Sequence, residues 1–167
     1  MRDKGLSNAE LKKIYQILRA FDGGLIVNPT EDWEQDYYGE KIADDKGLKE
    51  IIKKIERLLP EEEAKKVDKK VLRRRYDSFN NEIDERVYAV LERAFAKLNT
   101  VEIEYFNMER AEFDKRKIDI YHKSRRYTIG YCHIKRAIRK FRTSRIASVK
   151  LTNDNYKIPK DFDKKSY

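Results

Sequence analysis

Residues 101–105 read Val101-Glu102-Ile103-Glu104-Tyr105, and this stretch decides the fold. Apolar and charged side chains alternate with a period of 2, as on a strand with one buried face. Just before it, Ile83, Val87, Val90, Leu91, Ala94, Phe95 and Leu98 recur at helical spacing and predict a helix over 81–98. The period changes once, from 3.6 to 2. The chain therefore reads as helices first and an all-β module second.

Downstream, four further strands are predicted. Lys117-Ile118-Asp119-Ile120-Tyr121 is one, and Tyr127, Ile129 and Tyr131 share a face of the next. Residues 137–143 make a fourth strand. A turn over 144–148 leads to Val149-Lys150-Leu151 as the fifth. The connections are short, which favours antiparallel pairing in chain order. Five short, twisted strands suit a small barrel, because closure removes exposed edges.

Upstream, Ser7-Asn8-Ala9-Glu10 forms a capping box ahead of Leu11, Ile14, Tyr15, Leu18 and Phe21. Gly23-Gly24 can end that helix. Residues 25–45, with Pro29, Trp33 and Tyr37-Tyr38-Gly39, read as a loop or short irregular pieces. A second helix is predicted over 46–59, with Leu48, Ile51, Ile52, Ile55 and Leu59 on one side. Pro60 stops it and opens a third, whose positive end carries Glu61, Glu62 and Glu63. Val71-Leu72-Arg73-Arg74-Arg75-Tyr76 fits either a helix end or an edge strand. There are no internal repeats.

The 167 residues carry a net charge of +9, and 41% of them are charged. The charge is unevenly placed. Residues 1–114 hold 22 Lys and Arg against 26 Asp and Glu, whereas residues 115–145 hold 12 against the single acid Asp119. Such a stretch attracts polyanions, although charge alone also describes an ordinary solvated face. Tyr121, Tyr127, Tyr131 and Phe141 lie among these cations and favour binding, since base stacking needs flat faces beside phosphate-pairing groups. No apolar run approaches the roughly 20 residues of a bilayer span, and no signal peptide is visible. One cysteine, Cys132, excludes an internal disulfide and a Cys-based zinc site, and points to a reducing cytoplasm.

Candidate chemistry is sparse. His122 and His133 lack ligands at helical metal spacing, and Asp119 alone does not complete a site. Cys132 lies mid-strand and reads as a buried, inert thiol, with His133 on the opposite face. There is no phosphate loop or dinucleotide fingerprint. Asp44-Asp45 and Glu61–Glu63 read as loop and helix-start charges. No metal-binding acid cluster or general base supports a nuclease. The expectation is a protein that is not an enzyme, with no catalytic residue, metal or cofactor.

The informative cluster is Ile138-Arg139-Lys140-Phe141-Arg142-Thr143-Ser144-Arg145-Ile146. On a strand, Arg139 and Phe141 point one way and Lys140 and Arg142 the other. Arginine pairs bidentately with phosphate and stacks on bases. One of the three arginines bracing the barrel against a helix carboxylate is the structural alternative.

These residues resemble the WYL domain, a ligand-sensing module of bacterial transcription regulators. The resemblance spans about residues 86–163. It begins at the helix before Thr100-Val101-Glu102-Ile103-Glu104-Tyr105 and continues through Arg116-Lys117-Ile118-Asp119-Ile120-Tyr121. The family's Trp-Tyr-Leu triplet falls on Arg126-Tyr127-Thr128, which keeps the central tyrosine. Ile138 to Ile146 is similar to its Arg-x-Phe-Arg-x-x-Arg-Ile run, and Tyr156 to Asp163 fits its usual ending.

The resemblance implies an α+β chain: an N-terminal helical region, then a small five-stranded antiparallel Sm-like β-barrel. It divides the chain into a helical linker or dimerisation region at 1–80 and a WYL-like domain at 81–167. It also implies a pocket for single-stranded nucleic acid or a nucleotide, and Arg116, Tyr127, Arg139, Arg142 and Arg145 match the family's pocket or motif positions. No helix-turn-helix is recognisable, because the first two helices lie too far apart for that motif's tight turn. The helices resemble the linker that follows a DNA-binding domain in such regulators. The expected partners are thus nucleic acid or a nucleotide, a second copy in a homodimer, and a DNA-binding domain N-terminal to this region, with no membrane. The competing readings are a non-switching single-strand binder and a protein-interaction accessory module.

Overall fold

A computed structural model describes residues 5–22, 46–77 and 82–167. The readings at Gly23-Gly24, residues 25–45 and Asn81 lie outside the described residues. The chain divides into two compact units, Met1–Arg75 and Tyr76–Tyr167.

The first unit contains α1 (Asn8–Asp22), α2 (Lys46–Leu58) and α3 (Glu61–Arg75). The capping box is made as read: the Ser7 N–H donates to the Glu10 carboxylate at 2.8 Å, and the Glu10 N–H donates to the Ser7 hydroxyl at 3.4 Å. Val71 to Arg75 resolves as the end of α3 rather than a strand. The three apolar stripes find partners within the chain: Leu11, Tyr15, Leu48, Ile52, Leu59, Ala64, Val67 and Val71 form one core. Fully burying a side chain of this kind stabilises by roughly 1.5–3 kcal/mol, which short helices need. Tyr15 is 1% exposed, and its hydroxyl donates to Asp68 at 3.1 Å. Burial, then the Asp68 charge, pushes its pKa upward.

The second unit begins with α4 (Glu85–Lys97). The helix starts later than the periodicity predicts, because Asp84 is the N-cap: its carboxylate accepts from the Arg86 and Val87 N–H groups at 2.8 and 3.4 Å. Leu98 ends it in the left-handed conformation, φ 54°.

Five strands follow: β1 (Asn99–Asn107), β2 (Glu112–Lys123), β3 (Tyr127–Cys132), β4 (Ala137–Arg142) and β5 (Ile146–Asn155). They pair antiparallel in the order β4-β3-β2-β1-β5. The fold is α+β, with helices first and a five-stranded antiparallel sheet second. Among the described residues no ladder joins the two edge strands, β4 and β5, so the hydrogen-bonded sheet is open there. The turn before β5 is shorter than predicted, a single 3-10 turn at Thr143–Arg145. Fully buried Thr143 holds that turn: its N–H donates to the Arg126 carbonyl at 3.1 Å and its hydroxyl to the Ser124 carbonyl at 3.0 Å.

The core joins Val87, Leu91 and Ala94 of α4 to Val101, Ile103, Ile118, Ile120, Cys132, Phe141 and Ile146 of the sheet. On β3 the inward residues are Thr128, Gly130 and Cys132, whereas Tyr127 and Tyr131 stay half-buried. Ile129, on the same face as Tyr127 and Tyr131, is buried. Gly130 is required: a Cβ there would meet the Asp119 carbonyl oxygen at 2.2 Å, beside the register shift at Tyr121.

Candidate functional site

Tyr127 and Arg142 are register partners, at the first residue of β3 and the last of β4. Lys140 lies on the same outer face, and its ammonium stands 4.6 Å from the Tyr127 ring centroid. The Arg126 guanidinium approaches that ring at 5.4 Å. One half-buried aromatic face thus has two cations against it and Arg142 as its register partner, and an aromatic face beside cations can take a stacked, anionic ligand.

The other candidates separate. Arg139 pairs across the ladder with Gly130, so strand alternation puts it opposite Lys140 and Arg142, where it is exposed. Arg116 belongs to β2, across from Ile103, with only 15% of its side chain exposed. Its Nη2 donates to Asp114 at 2.8 Å, while its Nε is buried without a partner in the structure. Burial raises the Asp114 pKa, but hydrogen bonds from Asn107, Arg116 and Arg110 outweigh it, and the carboxyl stays below its ordinary value. Arg145 closes the 3-10 turn and donates from Nε to the Tyr76 carbonyl at 3.2 Å. It does brace the unit, though on a backbone carbonyl rather than a helix carboxylate. That carbonyl belongs to an aromatic cluster: Tyr76 stacks on Phe106 at 4.6 Å and meets Phe113 edge-on at 5.6 Å.

The positive field is narrower in space than along the chain. Arg116, Lys117, Lys123 and Arg125 each pair with a carboxylate from outside residues 115–145 or at its margin: Asp114, Asp154, Glu92 and Glu85. Arg126 and Lys140 stand over the Tyr127 ring, and Arg142 is its register partner. Beside them, Arg125, Arg126, Ser144 and Ile83 line a shallow depression. Lys140 was not singled out from sequence, although its strand parity with Arg142 was legible. What sequence lacks is the β3–β4 register, which brings it next to Tyr127.

The remaining titratable groups are structural in this arrangement. Cys132 is fully buried. His133 faces outward, with Nε2 2.9 Å from Asp119, whose carboxylate also accepts from Thr100 at 2.6 Å. Among the described residues no group of three or more His, Cys, Asp or Glu could hold a metal ion. No helix among them is long and apolar enough to cross a membrane.

The family model of the WYL domain matches residues 86–151, from α4 through the 3-10 turn into β5. This stretch is a WYL domain. The match contains Arg116, Tyr127, Arg139, Arg142 and Arg145. A solved structure, proteasome accessory factor B/C (PafBC) of Arthrobacter aurescens, is similar over 90% of this chain at 18% sequence identity, with a TM-score of 0.38. The similarity covers 21% of that chain, so this sequence spans about a fifth of its length. No curated protein matches.

Proposed function

We propose that the WYL domain is the ligand-sensing regulatory module of a transcriptional regulator, and that it binds single-stranded nucleic acid or a nucleotide through its basic, tyrosine-bearing face. The observation that carries this reading is Tyr127 set against Arg142 across the β3–β4 ladder, with the Lys140 ammonium 4.6 Å from its ring. An exposed base would stack on the tyrosine while the cations meet its phosphates. Arg145 would brace the turn that follows Arg142, while Arg139 and Arg116 would serve elsewhere on the domain. The role proposed is binding rather than turnover.

In this reading the helical region, residues 1–80, links the WYL domain, residues 81–167, to a second copy and to a DNA-binding domain N-terminal to it. Occupancy acts as a signal only if the ligand prefers one of two conformations. The protein would work in the cytoplasm, where nucleotide and nucleic-acid signals are present.

The test is fluorescence anisotropy with labelled single-stranded DNA, single-stranded RNA and duplex across a salt series. Salt-sensitive binding to single strands is expected, weakened about tenfold or more by Tyr127→Ala or Arg142→Ala in chains whose circular dichroism is unchanged. Binding indifferent to both substitutions removes this site. Absence of binding at low salt turns the search to small nucleotides and protein partners.

A further inference from the structure

The outer face of β3 and β4 already has a neighbour from its own chain. Beyond β5, the Tyr156 N–H donates to the Leu98 carbonyl at 3.0 Å, and its hydroxyl donates to the Ile120 carbonyl. The chain then runs back over the sheet. Phe162 meets Tyr121 edge-on at 5.3 Å, and the Tyr167 ring lies nearly parallel to Phe162, 23° apart at 6.0 Å. Ile138 of β4 faces this segment across a shallow depression whose wall includes Pro159, Asp161, Phe162 and Tyr167. Most directly, the Lys140 ammonium donates to the Tyr167 carbonyl at 2.8 Å. This is the same ammonium that stands over Tyr127.

The segment shares two features with a single strand. It presents two nearly parallel aromatic rings and an acceptor oxygen on a cation, while its three lysines outnumber Asp161 and Asp163 and make it a weak electrostatic match to a basic face. Stacked bases and phosphate oxygens would approach that face with the same groups. We propose that residues 159–167 occupy the nucleic-acid face from within the chain, and that a single strand binds by displacing them. This rests on the nucleic-acid reading above.

A segment held by one exposed hydrogen bond and a few ring contacts is a weak competitor, as a regulatory contact must be. If it covers the face about nine-tenths of the time, apparent affinity falls about tenfold. The segment would then set the ligand concentration at which the face fills.

The experiment uses the full chain with labelled oligothymidine at fixed salt, alongside the Phe162→Ala/Tyr167→Ala double variant. The variant is expected to bind about tenfold tighter. Hydrogen exchange on the unsubstituted chain gives a readout that needs no variant: amides of 159–167 should exchange faster once oligothymidine is added. Equal affinities, with exchange in 159–167 unchanged or slowed, overturn the proposal while leaving the nucleic-acid reading intact. Failure of both chains to bind overturns that reading, and the proposal with it.

Discussion

The Tyr105 hydroxyl accepts a hydrogen bond from the Arg142 backbone N–H at 3.2 Å, 37 positions along the chain. Its ring meets Phe141 edge-on at 5.2 Å. β1 and β4 are not neighbours in the ladder, so this contact spans the inside of the curled sheet. It also fixes the backbone of the arginine that faces Tyr127. A phenol on β1 thus positions a candidate ligand-binding residue on the edge strand.

Tyr105→Phe should keep the ring contact and lose only the acceptor. The Arg142 N–H would then lack its partner, at a cost of about 1 kcal/mol. Urea unfolding should show that loss, and single-strand binding should weaken with it. Unchanged stability and binding together would show that the Arg142 backbone needs no such anchor.

Thr143→Val preserves shape but removes the hydroxyl that donates to the Ser124 carbonyl at 3.0 Å and lies 3.2 Å from the Thr128 hydroxyl. Both groups are buried, so roughly 1–3 kcal/mol of stability should be lost. The 3-10 turn between Arg142 and Arg145 should loosen, visible as faster amide exchange over 143–146. Exchange confined to its original rate would mean the backbone alone holds the turn.

Gly130→Ala should be among the most disruptive small substitutions. The added Cβ would lie 2.2 Å from the Asp119 carbonyl oxygen, which is backbone and cannot rotate away. Either β2 and β3 separate or the bulge at Tyr121 rearranges, costing about 3 kcal/mol. Thermal unfolding measures it, and a melting temperature within a degree or two of the parent would contradict the close approach.

Asp114→Asn tests the acid limb of stability. The folded-state pKa of Asp114 lies below its ordinary value of 3.8. A depressed carboxyl stabilises the fold above its unfolded pKa, and that contribution fades as pH falls through the folded one. The variant should be less stable at neutral pH, and the gap from the parent should close below about pH 4. A gap that is constant from neutral to strongly acidic pH would show that the ion pairs with Arg110 and Arg116 contribute nothing.

Much of this protein was legible one element at a time. The Val101–Tyr105 alternation marked β1, and the Ser7–Glu10 box marked the start of α1 because its hydrogen bonds close within four residues. Asp84 was missed as a cap because the apolar stripe begins one residue earlier, at Ile83, and periodicity cannot see where backbone donors run out. Val71–Tyr76 stayed ambiguous for a similar reason: a short apolar–basic run fits two periods, and burial of Val71 in the helical core decided between them.

By itself the sequence determined the order of elements, the α+β class and the concentration of cations in residues 115–145, since periodicity and charge are properties of neighbours along the chain. Only the tertiary structure decided which of those cations lie beside Tyr127. Ladder register set Arg142 opposite Tyr127, a pairing that strand alternation within β4 does not give, because one residue of slip changes the partner across the ladder. Carboxylates distant in sequence paired with Arg125, Lys123 and Lys117, and residues 159–167 came back over Lys140. Those contacts are short in space and long in sequence, and only the packed chain brings such groups within range of one another.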